Sequence, residues 1–157
     1  MKKLVIIILL LGSAHVALGQ TLIGKSYDNF NRKEVTFQVV PTVVDFDGVK
    51  FGFGIGLNIR QVISLNYFHA RDYGVNTERP YLDNRFSGFH LSIAQPIFKR
   101  VELAAGVRKG ILNNEPQKTI ISGELRYKFN KSWRMAFEYG GNGNKDMTGM
   151  KLIYNLY

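Results

Sequence analysis

The segment His90-Leu91-Ser92 places an imidazole and a hydroxyl two residues apart, on one face of any extended segment. Such a pair can act as base and nucleophile in acyl transfer, provided that the imidazole reaches the hydroxyl and a carboxylate orients the imidazole. Glu124 is a carboxylate that could complete the set. A second candidate is the run KFGFGIGLNI at 50–59, where Gly52, Gly54 and Gly56 could wrap a phosphate. A dinucleotide-binding glycine loop, however, follows a strand and opens a helix at its last glycine. Here Phe51, Phe53, Ile55, Leu57 and Ile59 simply alternate with Lys50, the three glycines and Asn58. That is a strand with one apolar face, not a phosphate loop. His15 and His69 stand at no metal-ligand spacing from acids, and neither a metal nor a cofactor is expected.

The elements that must position these groups alternate in the same way. Trp133, Met135, Phe137 and Tyr139 oppose Ser132, Arg134, Ala136 and Glu138; Ile121, Leu125, Tyr127 and Phe129 oppose Ser122, Glu124, Arg126 and Lys128. Similar stretches run from Glu34, Val62, Gly88, Val101 and Thr148. Together they make eight strands of about ten residues, the length with which a tilted strand crosses a bilayer. The gaps alternate in length: short after Ile59, after Phe98 and at Asn130-Lys131, longer at 70–85, 109–118 and 140–146. Short turns on one side and longer loops on the other are the signature of an antiparallel barrel with periplasmic termini. Asp45 to Gly48 reads as a tight hairpin among the outer loops. The expected fold is therefore all-β, an eight-stranded antiparallel up-and-down transmembrane β-barrel.

The N-terminus supports an exported destination. Lys2 and Lys3 precede an apolar run, Leu4 to Leu11, and small residues end at Ala17-Leu18-Gly19, which reads as a signal peptide cleaved after Gly19. The expected organisation is a leader at 1–19, a short periplasmic segment at 20–33 and a barrel at 34–157, without a peptidoglycan-binding domain. The chain carries a net charge of +9, two units of it in the leader, and has no cysteine for a disulfide or a lipid anchor. In an exported protein this basic balance points to anionic lipid head groups or an internal ion network rather than to nucleic acid.

With aromatic Trp133, Tyr127, Phe129, Phe51 and Tyr139 near strand ends and a terminal Tyr157, the chain resembles small eight-stranded outer-membrane barrels. The transmembrane domain of outer membrane protein A and the outer membrane protein X group are of this kind. The resemblance covers 34–157 and implies residence in the bacterial outer membrane, in contact with its lipids and lipopolysaccharide. It also implies recognition by barrel-assembly machinery through the last strand, where Gly149, Leu152 and Tyr154 resemble its signal and Met147 departs from it. His90 and Ser92 are weakly similar to the His-x-Ser arrangement of lipid A deacylases, but Ile93 replaces the usual asparagine and the pair faces inward.

An eight-stranded barrel is just wide enough for side chains to fill. Its interior is expected to hold an ion-pair network of Lys50, Glu102, Arg108, Glu124, Arg126, Arg134, Glu138 and Lys151, with Glu124, Arg126, Arg134, Glu138 and Lys151 at mid-depth. Gly52, Gly54 and Gly56 are expected to leave room for Glu124 and Arg126 reaching across. The longest loop offers Arg71, Tyr73, Arg79, Tyr81 and Arg85 as a candidate contact surface for a cell-surface or envelope partner. Lys25, Arg32, Lys33, Arg60, Lys99, Arg100 and Lys131 gather on the expected periplasmic side. The functional expectation is a non-catalytic barrel with a plugged, ion-paired interior and a structural or interaction role; a lipid-modifying enzyme and a narrow pore are the alternatives.

Overall fold

Strands that bury one set of side chains and expose the other must satisfy their backbone groups laterally, and here every barrel strand pairs on both edges. The computed structural model describes residues 35–72 and 84–156. Its strands are β1 (Val35–Asp45), β2 (Val49–Ile59), β3 (Ile63–Arg71), β4 (Arg85–Phe98), β5 (Val101–Leu112), the two-residue β6 (Glu115–Pro116), β7 (Ile120–Lys128), β8 (Trp133–Gly141) and β9 (Asp146–Leu156). Neighbours run in the order β4-β3-β2-β1-β9-β8-β7-β5, and β4 pairs with β5 to close the ring. All of these pairings are antiparallel. The eight-stranded antiparallel barrel expected from the alternation is the fold observed. The leader, the segment at 20–33, Glu34, Tyr73, Arg79, Tyr81 and Tyr157 lie outside the described residues.

Local chemistry sets the corners. Arg60 and Gln61 have φ of 53° and 59°, Asn113 and Asn114 of 53° and 71°, and Asp47 and Gly48 of 58° and 99°. Two consecutive left-handed residues make the hairpin turn whose twist matches its strands. The longer loop expected at 109–118 is mostly sheet instead: β5 continues to Leu112, turns at Asn113-Asn114 and returns through β6. Proline marks the irregularities. The β1–β9 ladder skips Val40 and Pro41, and the β4–β5 register shifts between Pro96 and Phe98. A proline has no N–H to give to a ladder.

The two faces of the sheet are inverted relative to a soluble protein. Outward side chains are apolar and open, with Phe37 67%, Phe89 60% and Phe137 59% exposed, whereas Lys50 and Glu138 are 0% exposed. An apolar surface this continuous suits hydrocarbon rather than water. Trp133 stacks on Tyr154 with centroids 4.4 Å apart, and Tyr127 meets Phe129 at 5.1 Å, all at the rim where β1 begins and β9 ends. At the opposite rim the inward positions turn apolar: Val44, Phe46, Phe68, Ala70, Phe86, Leu112, Ile120 and Met147 form one buried cluster. The alternation marks Val44, Phe68 and Ile120 as inward, but Phe46, Ala70 and Leu112 fall in stretches expected to be loops, and the grouping into a cap above the charged layer is not legible from it. Met147, the departure from the last-strand pattern, is fully buried in this cluster.

Because Phe137 sits at the centre of β8 on the outward face, Phe137→Arg is expected to cost about 2–4 kcal/mol. Urea unfolding in lipid vesicles, followed through the emission of Trp133, measures it.

Candidate functional site: the ionic core of the barrel

Cross-strand pairing opposes Glu124 of β7 directly to Glu138 of β8. Two carboxylates facing one another repel unless cations lie between them. Lys151 of β9 supplies that bridge, its Nζ 2.7 Å from Glu124 Oε1 and 2.8 Å from Glu138 Oε2. Arg108 of β5 grips Glu138 with both ends of its fork, Nε to Oε1 at 2.9 Å and Nη2 to Oε2 at 2.5 Å. Ser122 Oγ donates to the same Glu138 Oε1 at 2.7 Å. Arg126 Nε donates to Glu124 Oε2 at 2.8 Å. These bonds, all between buried partners, satisfy each carboxylate from several sides, the condition under which buried charge is tolerated. Arg108 also lies over the Phe68 ring at 4.7 Å, joining this layer to the apolar cap.

His90 Nε2 lies 3.2 Å from Glu124 Oε1 and 3.7 Å from Glu138 Oε1. Gly106 makes room for it, since a Cβ there would come within 2.6 Å of that nitrogen. The donor atoms of His90, Glu124 and Glu138 all lie within 4.8 Å of one another, a grouping that metal sites share. His90 lies on β4, far in the sequence from the consecutive strands β7 and β8 that carry the two acids, so residue spacing carries no trace of it. A divalent cation there would have to displace Arg108, Arg126 and Lys151 from the two carboxylates, and the cluster is an ion-pair network rather than an open ligand set.

The acyl-transfer arrangement does not form around Ser92. Its Oγ accepts from Arg126 Nη2 at 2.6 Å, and the imidazole of His90 turns to the carboxylates instead. Both residues face the interior, at 3% and 1% exposure.

The remaining candidates divide. Arg134 pairs with Glu102 at 3.4 Å in a separate layer nearer the turn rim. Gln61, from the turn after β2, accepts from Arg134 Nη2 at 2.8 Å and from Lys128 Nζ at 3.2 Å. Its inward role is not legible from the sequence, because a turn residue has no alternation to place it. Lys50 corrects the expectation: its Nζ donates to the Phe46, Asp47 and Gly48 carbonyls at 2.6, 3.0 and 2.9 Å, and so caps the β1–β2 hairpin instead of joining the acids. Arg108, expected nearer a barrel end, reaches the mid-depth cluster. The glycines of β2 need a correction as well. A Cβ at Gly52 or Gly56 would collide with the backbone of β3, at the His69 and Leu65 carbonyls, and not with Glu124 or Arg126. Only Gly54 borders the same space as Arg126.

At the loop rim, Arg85 is tied to the neighbouring hairpin, its Nη2 donating to Asn114 Oδ1 at 2.6 Å and its N–H to Asn113 Oδ1 at 2.8 Å. Arg71 ends β3 opposite Arg85. The Lys145 ammonium bonds Asp47 at 2.8 Å and holds that carboxyl below its usual range.

The fold is similar to that of designed transmembrane β-barrels, with a TM-score of 0.59 and 14% identity over 77% of this chain and 95% of the other. A designed barrel called TMB2.3 gives a TM-score of 0.58 and 13% identity over 78% and 94%. The N-terminal β-barrel domain of Pseudomonas aeruginosa OprF gives 0.59 and 10% over 77% and 97%. At these identities the likeness concerns the fold: a membrane-embedded eight-stranded barrel. No protein-family model and no curated protein matches the chain.

Glu138→Gln leaves Arg108 and Lys151 without their shared anion and is expected to cost about 3–5 kcal/mol. Glu102→Gln, at a looser and less buried pair, is expected to cost less, and urea unfolding in vesicles ranks the two.

Proposed function

We propose that this chain is a non-catalytic β-barrel of the bacterial outer membrane whose ion-paired interior is closed to ion flow. Its role is structural or interactive at the cell surface, alone or as a subunit of an envelope complex. The supporting observation is the way in which Arg108, Arg126 and Lys151 are all spent on Glu124 and Glu138, tying β5, β7, β8 and β9 together through the lumen. Charges held this way brace the wall and leave no train of free groups for ions to follow. The apolar cap over Phe46, Phe68 and Phe86 favours the same reading.

Partners follow from the two surfaces. The outward apolar face meets acyl chains and lipopolysaccharide, and the exposed Arg60, Lys99, Arg100 and Lys131 at the turn rim face the anionic head groups of the periplasmic leaflet. Gly149, Leu152 and Tyr154 of β9 present the last strand to the assembly machinery. Arg71 and Arg85, with Tyr73, Arg79 and Tyr81, form the loop offered to a surface or envelope partner. The lipid-modifying alternative has less support, because Ser92 is engaged by Arg126 and lies inside the wall that separates it from lipid.

Purified protein in planar bilayers is expected to give no steady current; a stable single-channel conductance contradicts the closed interior. Cells carrying the wild type and Ser92→Ala are expected to show the same lipid A profile, and deacylation lost with Ser92→Ala establishes the enzyme instead.

A further inference from the structure

Between β1–β4 and the side chains crossing from β5, β7 and β9 lies a cavity of about 20 Å³. Arg108, Arg126 and Lys151 all border it, and no carboxylate among the described residues does. Glu124 and Glu138 hold the same three cations from behind. Three cations against two carboxylates leave one positive charge in excess, before any charge on His90 is counted.

We infer that this cavity binds one water-sized monovalent anion, a halide ion such as chloride. Size is the first argument: about 10–15 Å³ of such space holds one water, so a single monatomic ion fits. Charge is the second. One monovalent anion neutralises the cluster, and at low dielectric an unbalanced buried cation attracts it far more strongly than in water. Two buried amides, Gln38 and Asn66, also stand on the cavity wall. Gly54 opens the space: its missing side chain is on the wall, where a Cβ would meet the Tyr67 carbonyl at 3.1 Å and Val40 Cβ at 3.5 Å.

The site is independent of whether the barrel conducts, because its readout is stability. The full chain, folded in neutral lipid vesicles, is unfolded by urea in sodium chloride and in sodium gluconate at equal ionic strength. Chloride is expected to raise the midpoint saturably; at about ten times the dissociation constant, the folded-to-unfolded ratio rises about tenfold. Gly54→Ala, a methyl placed at the cavity wall, is expected to remove most of the chloride dependence while keeping the barrel. Crystals grown in sodium bromide are expected to show an anomalous peak between Arg108, Arg126 and Lys151. Equal midpoints in the two salts, a chloride effect undiminished in Gly54→Ala, or a bromide-grown crystal without that peak would each overturn the inference.

Discussion

Two carboxylates placed face to face on adjacent strands are the constraint around which this barrel is arranged. Glu124 and Glu138 share one rung of the β7–β8 ladder, in a lumen whose width is set by strand number. Neither water in bulk nor distance is available to relieve them, so cations must be brought to them. Lys151 and Arg108 arrive from β9 and β5, while Arg126 comes from β7 itself, two residues beyond Glu124. The network is consequently a set of transverse braces: removing one member strands a charge in a place with little solvent.

The rest of the interior is layered around these braces. Nearer the turn rim, Glu102, Arg134, Lys128 and Gln61 make a looser polar layer. Toward the loop rim, Phe46, Phe68, Phe86 and Met147 form an apolar cap, with Lys50 spending its charge on turn carbonyls rather than on acids. Arg108 belongs to two layers, gripping Glu138 while its guanidinium lies over Phe68. Such placement lets an aromatic surface and an ionic cluster adjoin without an exposed boundary between them. Outside, the alternate residues of the same strands are mostly apolar, with polar exceptions such as Gln95, Lys109 and Thr148 toward the strand ends.

Much of this was legible in the chain because a period of two is unforgiving: a slip of one residue would turn every ion toward hydrocarbon. Alternation thus identified the eight strands, the inward face of each and the acids and bases on it. What it could not give was partner choice. Glu102 stands opposite Arg126 across the β5–β7 ladder, yet Arg126 turns to Glu124 and Ser92 while Glu102 goes to Arg134. That selection depends on side-chain reach within a curved wall. The meeting of His90 with both acids is invisible for the same reason, and Gln61 was missed because turns carry no periodicity. The glycines of β2 were legible as strand residues, but two of the three answer to the neighbouring backbone of β3 and not to the far wall.

The central claim is that hydrocarbon surrounds the odd-numbered face of strands such as β8, and the most direct measurement of it is fluorescence quenching by brominated lipids. With Trp133→Phe removing the native indole, Phe137→Trp reports from mid-strand on that face. The account predicts a blue-shifted emission that acyl chains brominated near the bilayer centre quench strongly and that aqueous iodide leaves unchanged. Emission indifferent to the brominated lipid, or quenched by iodide, would mean that this face packs against protein or water, and the inverted barrel described above would be wrong.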